Sequence, residues 1–160
     1  MAGRVERVEY DSNDDGQPDF VVRLEEDQPR LLEVDVDFDG KVDRWEHYDA
    51  AGRLAKVGYS RGDGRPDRWT HLDQDGLPLL VEHDSDGDRS VDRREIFRNG
   101  RLLRVEVDSD RDGKMDRWQD WSSGILAVED VDTDADGRPD RRLRYDPGGN
   151  VAGLERFPGG

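Results

Sequence analysis

The chain contains no cysteine, so neither a disulfide bridge nor a thiolate metal site stabilises its fold. Apolar residues are also scarce, at 32% of the 160 residues. No apolar run approaches the roughly 18 residues that a membrane-spanning helix needs, and the first ten residues lack the apolar segment of a signal peptide. We therefore expect no membrane span and no export signal in this chain.

Basic residues are outnumbered, with 25 Lys and Arg against 40 Asp and Glu, which gives a net charge of −15. So acidic a surface makes nucleic acid an unfavourable partner. In an unliganded chain, this charge predicts disorder or strong self-repulsion. The acids recur at fixed offsets between short apolar segments, however, and this pattern is typical of metal sites rather than of a solvated acidic tail.

The acids belong to six repeated loops, which begin at residues 11, 35, 60, 84, 108 and 132, at intervals of 24, 25, 24, 24 and 24 residues. In the loop at 35–43, aspartates occupy positions 1, 3, 5 and 9 (Asp35, Asp37, Asp39 and Asp43), and Gly40 occupies position 6. Alternate carboxylates on a tightly curled segment can converge on Ca²⁺, which takes six to eight oxygen ligands, and glycine permits the sharp turn. The repetition predicts a series of calcium sites.

The predicted ligands are the side chains at positions 1, 3, 5 and 9 and the carbonyl at position 7, with water completing the shell. They are Asp11, Asn13, Asp15, Gln17 and Asp19 in loop 1; Asp35, Asp37, Asp39, Lys41 and Asp43 in loop 2; Asp84, Asp86, Asp88, Ser90 and Asp92 in loop 4; Asp108, Asp110, Asp112, Lys114 and Asp116 in loop 5; and Asp132, Asp134, Asp136, Arg138 and Asp140 in loop 6. We expect about five Ca²⁺ ions.

The loops depart from the pattern unequally. Loop 3, at 60–67, is one residue shorter than the others, keeps only two carboxylates and carries Arg61, so we expect it to hold no ion. Loop 4 has Arg89 at position 6, which costs about 1 kcal/mol if that residue needs a positive φ. Loop 1 has the neutral Asn13 at position 3. Loops 1 and 4 should therefore bind calcium more weakly than loops 2, 5 and 6.

Short strand-like segments flank every loop. Before loop 5, the apolar residues Leu103, Val105 and Val107 alternate with polar ones, which predicts a strand with one buried face. After each loop comes an aromatic or β-branched segment such as Arg44–Tyr48, followed in most repeats by a glycine turn typical of hairpins. No stretch shows the spacing of an amphipathic helix.

The sequence therefore predicts an all-β fold, an elongated antiparallel meander of about six 24-residue β-hairpin repeats with the calcium loops along one edge. The whole chain, 1–160, is predicted to be a single repeat array. Residues 1–10 form an N-terminal half-repeat, and residues 149–157 form the last strand.

Loops 1, 2, 4, 5 and 6 resemble the D-x-D-x-D-G-x-x-D calcium hairpins of integrin-type FG-GAP repeats, in which the loop joins two antiparallel strands. The turn-and-strand half, with the segment 48–54 as its clearest copy, resembles the YD repeats of RHS proteins and, more loosely, the hairpins of MORN repeats. These resemblances imply an extended, twisted strip of hairpins.

The EF-hand is the competing motif, because Glu46 stands at position 12 of loop 2, where an EF-hand places its bidentate glutamate. At that position loops 1, 4, 5 and 6 carry Val22, Glu95, Gln119 and Leu143. The glutamate is thus not part of the repeat, whereas aspartate at position 9 is, and the flanking segments are strand-like rather than helical. The pattern favours the hairpin loop.

These features predict a calcium-stabilised structural module that is not an enzyme. Sites without a bidentate twelfth ligand should be weak and filled where calcium is millimolar, so we expect an extracellular or cell-surface adhesion or spacer module, with a glycan or a surface protein as its partner. One alternative is a carbohydrate-binding module that uses Trp45, Trp69, Trp118 and the arginines before them. Another is an acidic inhibitor of a basic partner.

Overall fold

The structure, a computed structural model, describes residues 4–157, so residues 1–3 of the predicted N-terminal half-repeat lie outside the described residues. The described chain is all-β, with thirteen strands and no helix. The strands are β1 (Arg7–Tyr10), β2 (Phe20–Glu25), β3 (Gln28–Val34), β4 (Arg44–Tyr48), β5 (Leu54–Tyr59), β6 (Arg68–Leu72), β7 (Pro78–His83), β8 (Arg93–Arg98), β9 (Arg101–Val107), β10 (Arg117–Ser122), β11 (Ile125–Val131), β12 (Arg141–Tyr145) and β13 (Val151–Arg156). Hydrogen-bonded neighbours are consecutive strands in antiparallel pairs, which confirms the predicted meander.

The chain divides into two units, Met1–Leu77 with strands β1 to β6 and Pro78–Gly160 with strands β7 to β13. Within each unit the acidic loops follow the odd-numbered strands, and the hairpin turns follow the even-numbered ones. Because strand direction alternates in an antiparallel meander, the loops of a unit lie at one edge of its sheet and the turns at the other.

Backbone hydrogen bonds join consecutive loops within a unit. The N–H of Asp35, the first residue of loop 2, donates to the carbonyl of Asp19, the last residue of loop 1, at 2.9 Å. The equivalent 2.8 Å bonds run from Ser60 to Asp43 in the first unit and from Asp108 to Asp92 and Asp132 to Asp116 in the second. The strand ladder thus continues into the loops and holds neighbouring acidic loops side by side.

The buried apolar side chains of the described residues are all valines. Val57, Val81 and Val105 hold the same repeat position, and all three are buried, with Val105 fully enclosed. Their opposite neighbours are polar: Val57 pairs with Glu46, and Val105 pairs with Glu95 and Gln119. Burial of a valine side chain contributes about 1.5–3 kcal/mol, so these few valines contribute only modestly for a chain of this length.

The hairpin turns are of two kinds. Three are two-residue turns with both central residues at positive φ, namely Glu26-Asp27, Asn99-Gly100 and Ser123-Gly124. The other three begin with an aspartate whose Oδ1 accepts the N–H groups two and four residues later, as Asp49, Asp73 and Asp146 do. Glu26-Asp27 contains no glycine, which is why the sequence pattern did not indicate a turn there.

Candidate metal centre

The aspartate at position 1 organises each of the five predicted calcium loops. In loop 6 the two oxygens of Asp132 accept the N–H of Ala135, at 2.9 Å, and the N–H of Gly137, at 2.7 Å. The position-6 N–H is bonded in the same way to Asp11, Asp35, Asp84 and Asp108, at 2.8 to 3.0 Å. A carboxylate that accepts backbone N–H groups curls the chain around itself without a metal.

Two residues of every such loop lie in the left-handed region. Position 6 was expected to need it, and φ there is 84–90° in Gly16, Gly40, Gly113 and Gly137 and 80° in Arg89. Position 4 also needs it, with φ of 61–64° in Asp14, Phe38, Arg111 and Ala135 and of 82° in Gly87. Sequence reasoning missed position 4, because its occupants have nothing in common. Loop 4 has glycine at one of these two positions, but at position 4 (Gly87) instead of position 6.

The aspartates at positions 5 and 9 are also hydrogen-bonded to the loop backbone. In loop 5, Oδ1 of Asp112, at position 5, accepts the N–H of Lys114 at 2.8 Å, and Oδ2 of Asp116, at position 9, accepts the N–H of Ser109 at 3.0 Å. The same two contacts recur in loops 1, 2, 4 and 6. These hydrogen bonds fix the carboxylates at positions 5 and 9 to the backbone of their own loop.

Position 2 contributes a hydroxyl that the sequence analysis did not single out. The side chains of Ser12, Ser109 and Thr133 donate to the position-9 carboxylate of their own loop at 2.5–2.6 Å. In loops 1 and 6 this hydrogen bond holds the pKa of Asp19 and Asp140 below the usual value. The recurrence of Ser or Thr at position 2 was the available sequence signal. These acids are therefore ionised at neutral pH.

Four loops bring three acids together with oxygens within 4.8 Å of one another. The groups are Asp35, Asp37 and Asp39 in loop 2; Asp84, Asp86 and Asp92 in loop 4; Asp108, Asp110 and Asp116 in loop 5; and Asp132, Asp134 and Asp136 in loop 6. The other acids predicted for these loops, Asp43, Asp88, Asp112 and Asp140, lie outside the groups. In loop 5, Oδ1 of Asp116 is buried without a hydrogen-bond partner. An all-oxygen group with an unsatisfied buried carboxylate oxygen fits a hard cation such as Ca²⁺.

Loop 1 forms no such group among the described residues. The Asn13 side chain turns its amide nitrogen to Asp15 at 3.1 Å and accepts the N–H of Asp15 at 2.9 Å. Asn13 thus presents a donor to an acid that should bind the ion. Oδ1 of Asp11 is nevertheless buried without a partner.

Loop 3 is organised by side-chain cations. Nε of Arg61 lies 2.8 Å from Oδ2 of Asp67, so a guanidinium pairs with the carboxylate at the end of the loop. Nζ of Lys41, in the neighbouring loop 2, donates to the carbonyl of Gly62 at 3.0 Å. Cationic groups therefore contact the carboxylate of Asp67 and the carbonyl of Gly62, while Asp63 accepts the hydroxyl of Ser60 and the N–H of Arg65.

Two of the three tryptophans named for the carbohydrate-binding alternative, Trp45 and Trp69, are neighbours in the first unit. The ring centroids of Trp45 and Trp69 are 6.4 Å apart, and the ring of His47 lies 5.5 Å from that of Trp69. The ammonium of Lys56 stands 3.9 Å from the centroid of Trp69. Trp45, His47 and Lys56 thus lie against the ring of Trp69, where a stacked sugar would otherwise bind.

The fold and the loops together define an all-β hairpin-repeat protein with acidic loops suited to a hard cation. No family model matches the chain, and no curated protein does. Among solved structures, the chain is similar to one described as the crystal structure of accessory secretory protein 1, 2 and 3 in Streptococcus pneumoniae, with a TM-score of 0.32 and 15% identity. The match covers 78% of this chain and 20% of that one, and a TM-score this low carries no argument.

Proposed function

We propose that this protein is a calcium-binding, calcium-stabilised structural repeat module. The observation that carries the proposal is the grouping of three carboxylates within 4.8 Å in four separate loops. Like charges held so close repel one another, and a bound divalent cation removes that cost. A buried, unpartnered carboxylate oxygen, such as Oδ1 of Asp116, supports the same reading.

Calcium is the cation that the ligand chemistry favours. The predicted ligand side chains at positions 1, 3, 5 and 9 are carboxylates and the amide of Asn13, backbone carbonyls add to them, and the loops contain no cysteine or histidine, which would favour zinc or copper. In the proposed site, the side chains at positions 1, 3, 5 and 9 and the carbonyl at position 7 bind the ion. Mg²⁺ would demand a stricter octahedron and retain more of its water.

Bound calcium would also reduce the net negative charge of the chain. Five Ca²⁺ ions would move the net charge from −15 to −5. The position-1 acids Asp35, Asp108 and Asp132 are buried, so their charges are poorly screened by solvent when no cation is bound. Calcium binding and folding should therefore be linked.

The biological setting follows from the expected affinity. Loops without a bidentate glutamate should be weak sites, filled at millimolar calcium, so we place the module outside the cell or at the cell surface as an adhesion or spacer element. A glycan or a surface protein is the partner class proposed. Among residues 4–157, no helix is long and apolar enough to cross a membrane.

The proposal is tested by removing one ligand at a time. Asp110, at position 3 of loop 5, is exposed, and its one described hydrogen bond is a long one of 3.3 Å from the N–H of Asp112. Asp110→Asn should therefore leave the protein no less stable in chelator, because it removes one of three crowded charges, while calorimetry finds one calcium ion fewer or bound at least tenfold more weakly. Asp75→Asn, which removes the same charge from a turn at the opposite edge, is the control. Equal calcium binding by wild type and both variants would count against the proposal.

A further inference from the structure

Loops 4 and 5 are joined by an ion pair as well as by backbone. Nη1 of Arg111, at position 4 of loop 5, lies 3.3 Å from Oδ2 of Asp86, at position 3 of loop 4. Asp86 belongs to the group of three acids in loop 4. One loop thus supplies a cation to the acids of its neighbour.

The position of Arg111 is fixed by its own loop. Its N–H donates to Oδ1 of Asp108 at 2.7 Å, and its φ is 63°. The other described ion pairs of loop acids come from the same loop or the adjoining strand, such as Lys41 with Asp39 at 3.0 Å. Lys41 also reaches a neighbouring loop, but it contacts a backbone carbonyl there, whereas the guanidinium of Arg111 contacts an acid of the next loop.

We propose that Arg111 is an internal competitor for calcium at loop 4, an inference that rests on the proposed function. The guanidinium and Ca²⁺ require the same carboxylate, so an incoming ion must displace Arg111 from Asp86 or bind beside its positive charge. Either way, the affinity of loop 4 falls. Together with the strained Arg89, this makes loop 4 the last of the four acid groups to fill.

The expected change in the calcium affinity of loop 4 depends on how exposed the ion pair between Arg111 and Asp86 is. The Arg111 side chain is 58% exposed and that of Asp86 24%, so the interaction is that of a solvent-screened ion pair. Loss of an exposed pair, together with relief of repulsion from a nearby divalent ion, should tighten calcium binding at loop 4 by about threefold to tenfold. Binding at loop 6, which Arg111 does not contact, should not change.

Glycine amides provide a separate signal for each loop. The N–H groups of Gly87, Gly113 and Gly137 each donate to the position-1 aspartate of loops 4, 5 and 6, at 2.7–2.8 Å. Calcium titrations of isotopically labelled protein, followed by nuclear magnetic resonance, therefore give a separate calcium midpoint for each loop. Calorimetry would give only the heat summed over all sites. The variant is Arg111→Gln, because glycine would also relieve the left-handed backbone. Arg101→Gln removes the same charge at the turn end of β9 and is the control.

The expected result is a threefold to tenfold lower calcium midpoint at Gly87 in Arg111→Gln, with Gly137 unchanged and Arg101→Gln like wild type. Arg111→Lys, which keeps the positive charge, should have a Gly87 midpoint close to that of wild type. This variant shows whether a change in Arg111→Gln comes from the lost charge rather than from altered folding. An unchanged Gly87 midpoint, with the other glycines still responding to calcium, would overturn this inference alone. If no glycine signal of the wild type responds to calcium, the proposed function falls, and the inference falls with it.

Discussion

The indole ring of Trp69 lies against Gly58 on the neighbouring strand, where a Cβ on Gly58 would stand 2.6 Å from the ring. Gly58 also pairs with Trp45 on its other side. The missing side chain thus opens a space in β5 between two tryptophans, and the ring of Trp69 fills it. This contact links two strands of the first unit through a residue that sequence pattern alone would treat as a weak strand former.

Gly58→Ala should therefore destabilise the protein by about 1–3 kcal/mol, because the ring must shift or the strand must bend. The measurement is urea unfolding in saturating calcium. Gly153→Ala is the matched control, since a Cβ there would meet only Arg144, at 3.9 Å, and the backbone is not left-handed. Equal loss of stability in the two variants would contradict this account of Gly58.

Much of the fold was predictable because its determinants are local. The strand β4 coincides with the segment Arg44–Tyr48 chosen from sequence, since loop spacing and a following turn delimit it on both sides. The curl of each loop was predictable from aspartate spacing and the glycine at position 6. The 24-residue recurrence then fixed the order of elements.

What escaped sequence analysis depends on contacts across strands or on backbone conformation. The packing of Trp69 on Gly58 requires the register of β5 and β6, and the pair between Arg111 and Asp86 requires two loops to lie side by side. The left-handed residue at position 4 is filled by Asp14, Phe38 and others of unlike chemistry, so no residue type marks it. These features appear only once the strands are paired.

Arg89→Gly should stabilise the calcium-bound protein by about 0.5–1 kcal/mol. Arg89 has a φ of 80°, a conformation that glycine adopts without the clash of a Cβ. Part of that gain is offset by the greater freedom of glycine in the unfolded chain. Arg89→Gln keeps the strain while removing the charge, so urea unfolding of both variants separates the two causes. A glutamine variant as stable as the glycine variant would show that charge, not conformation, is responsible.

Loop 3 should remain empty at saturating calcium. Arg61 already pairs with Asp67 at 2.8 Å, and Lys41 already donates to the carbonyl of Gly62 at 3.0 Å. Two carboxylates also cannot replace four for an ion whose affinity depends on ligand charge. Anomalous scattering from crystals grown with calcium should locate about five ions and none beside Asp63. An ion at Asp63 would mean that the repeat is aligned wrongly there.

The turn aspartates should make stability depend on pH even without calcium. Asp49 accepts hydrogen bonds from the N–H of Arg53, at 3.0 Å, from its Nε and from the N–H of Ala51, and these hold the pKa of Asp49 below its usual value of 3.8. A lowered folded-state pKa gives a stabilisation that is complete above the unfolded-state pKa and is lost as pH falls through the folded value.

Asp49→Asn should therefore be less stable than wild type at pH 7, and the difference should shrink as pH falls below 3.8 and through the lowered folded-state pKa of Asp49. Urea unfolding of both proteins in chelator between pH 2 and pH 7 measures this difference in the free energy of unfolding. Asp75→Asn, in the neighbouring turn, removes a carboxylate that accepts no hydrogen bond among the described contacts and should show no such dependence. A deficit of Asp49→Asn that is as large at pH 2 as at pH 7 would rule out this linkage.

The central claim is that folding and calcium binding are linked, and thermal melting followed by circular dichroism tests it most directly. Calcium bound only by the folded state stabilises it by about 2.7 kcal/mol per site at a hundredfold excess over Kd. We predict that the protein in millimolar calcium melts well above the same protein in chelator, while equimolar magnesium has a much smaller effect. Identical melting temperatures in calcium and in chelator would contradict the account.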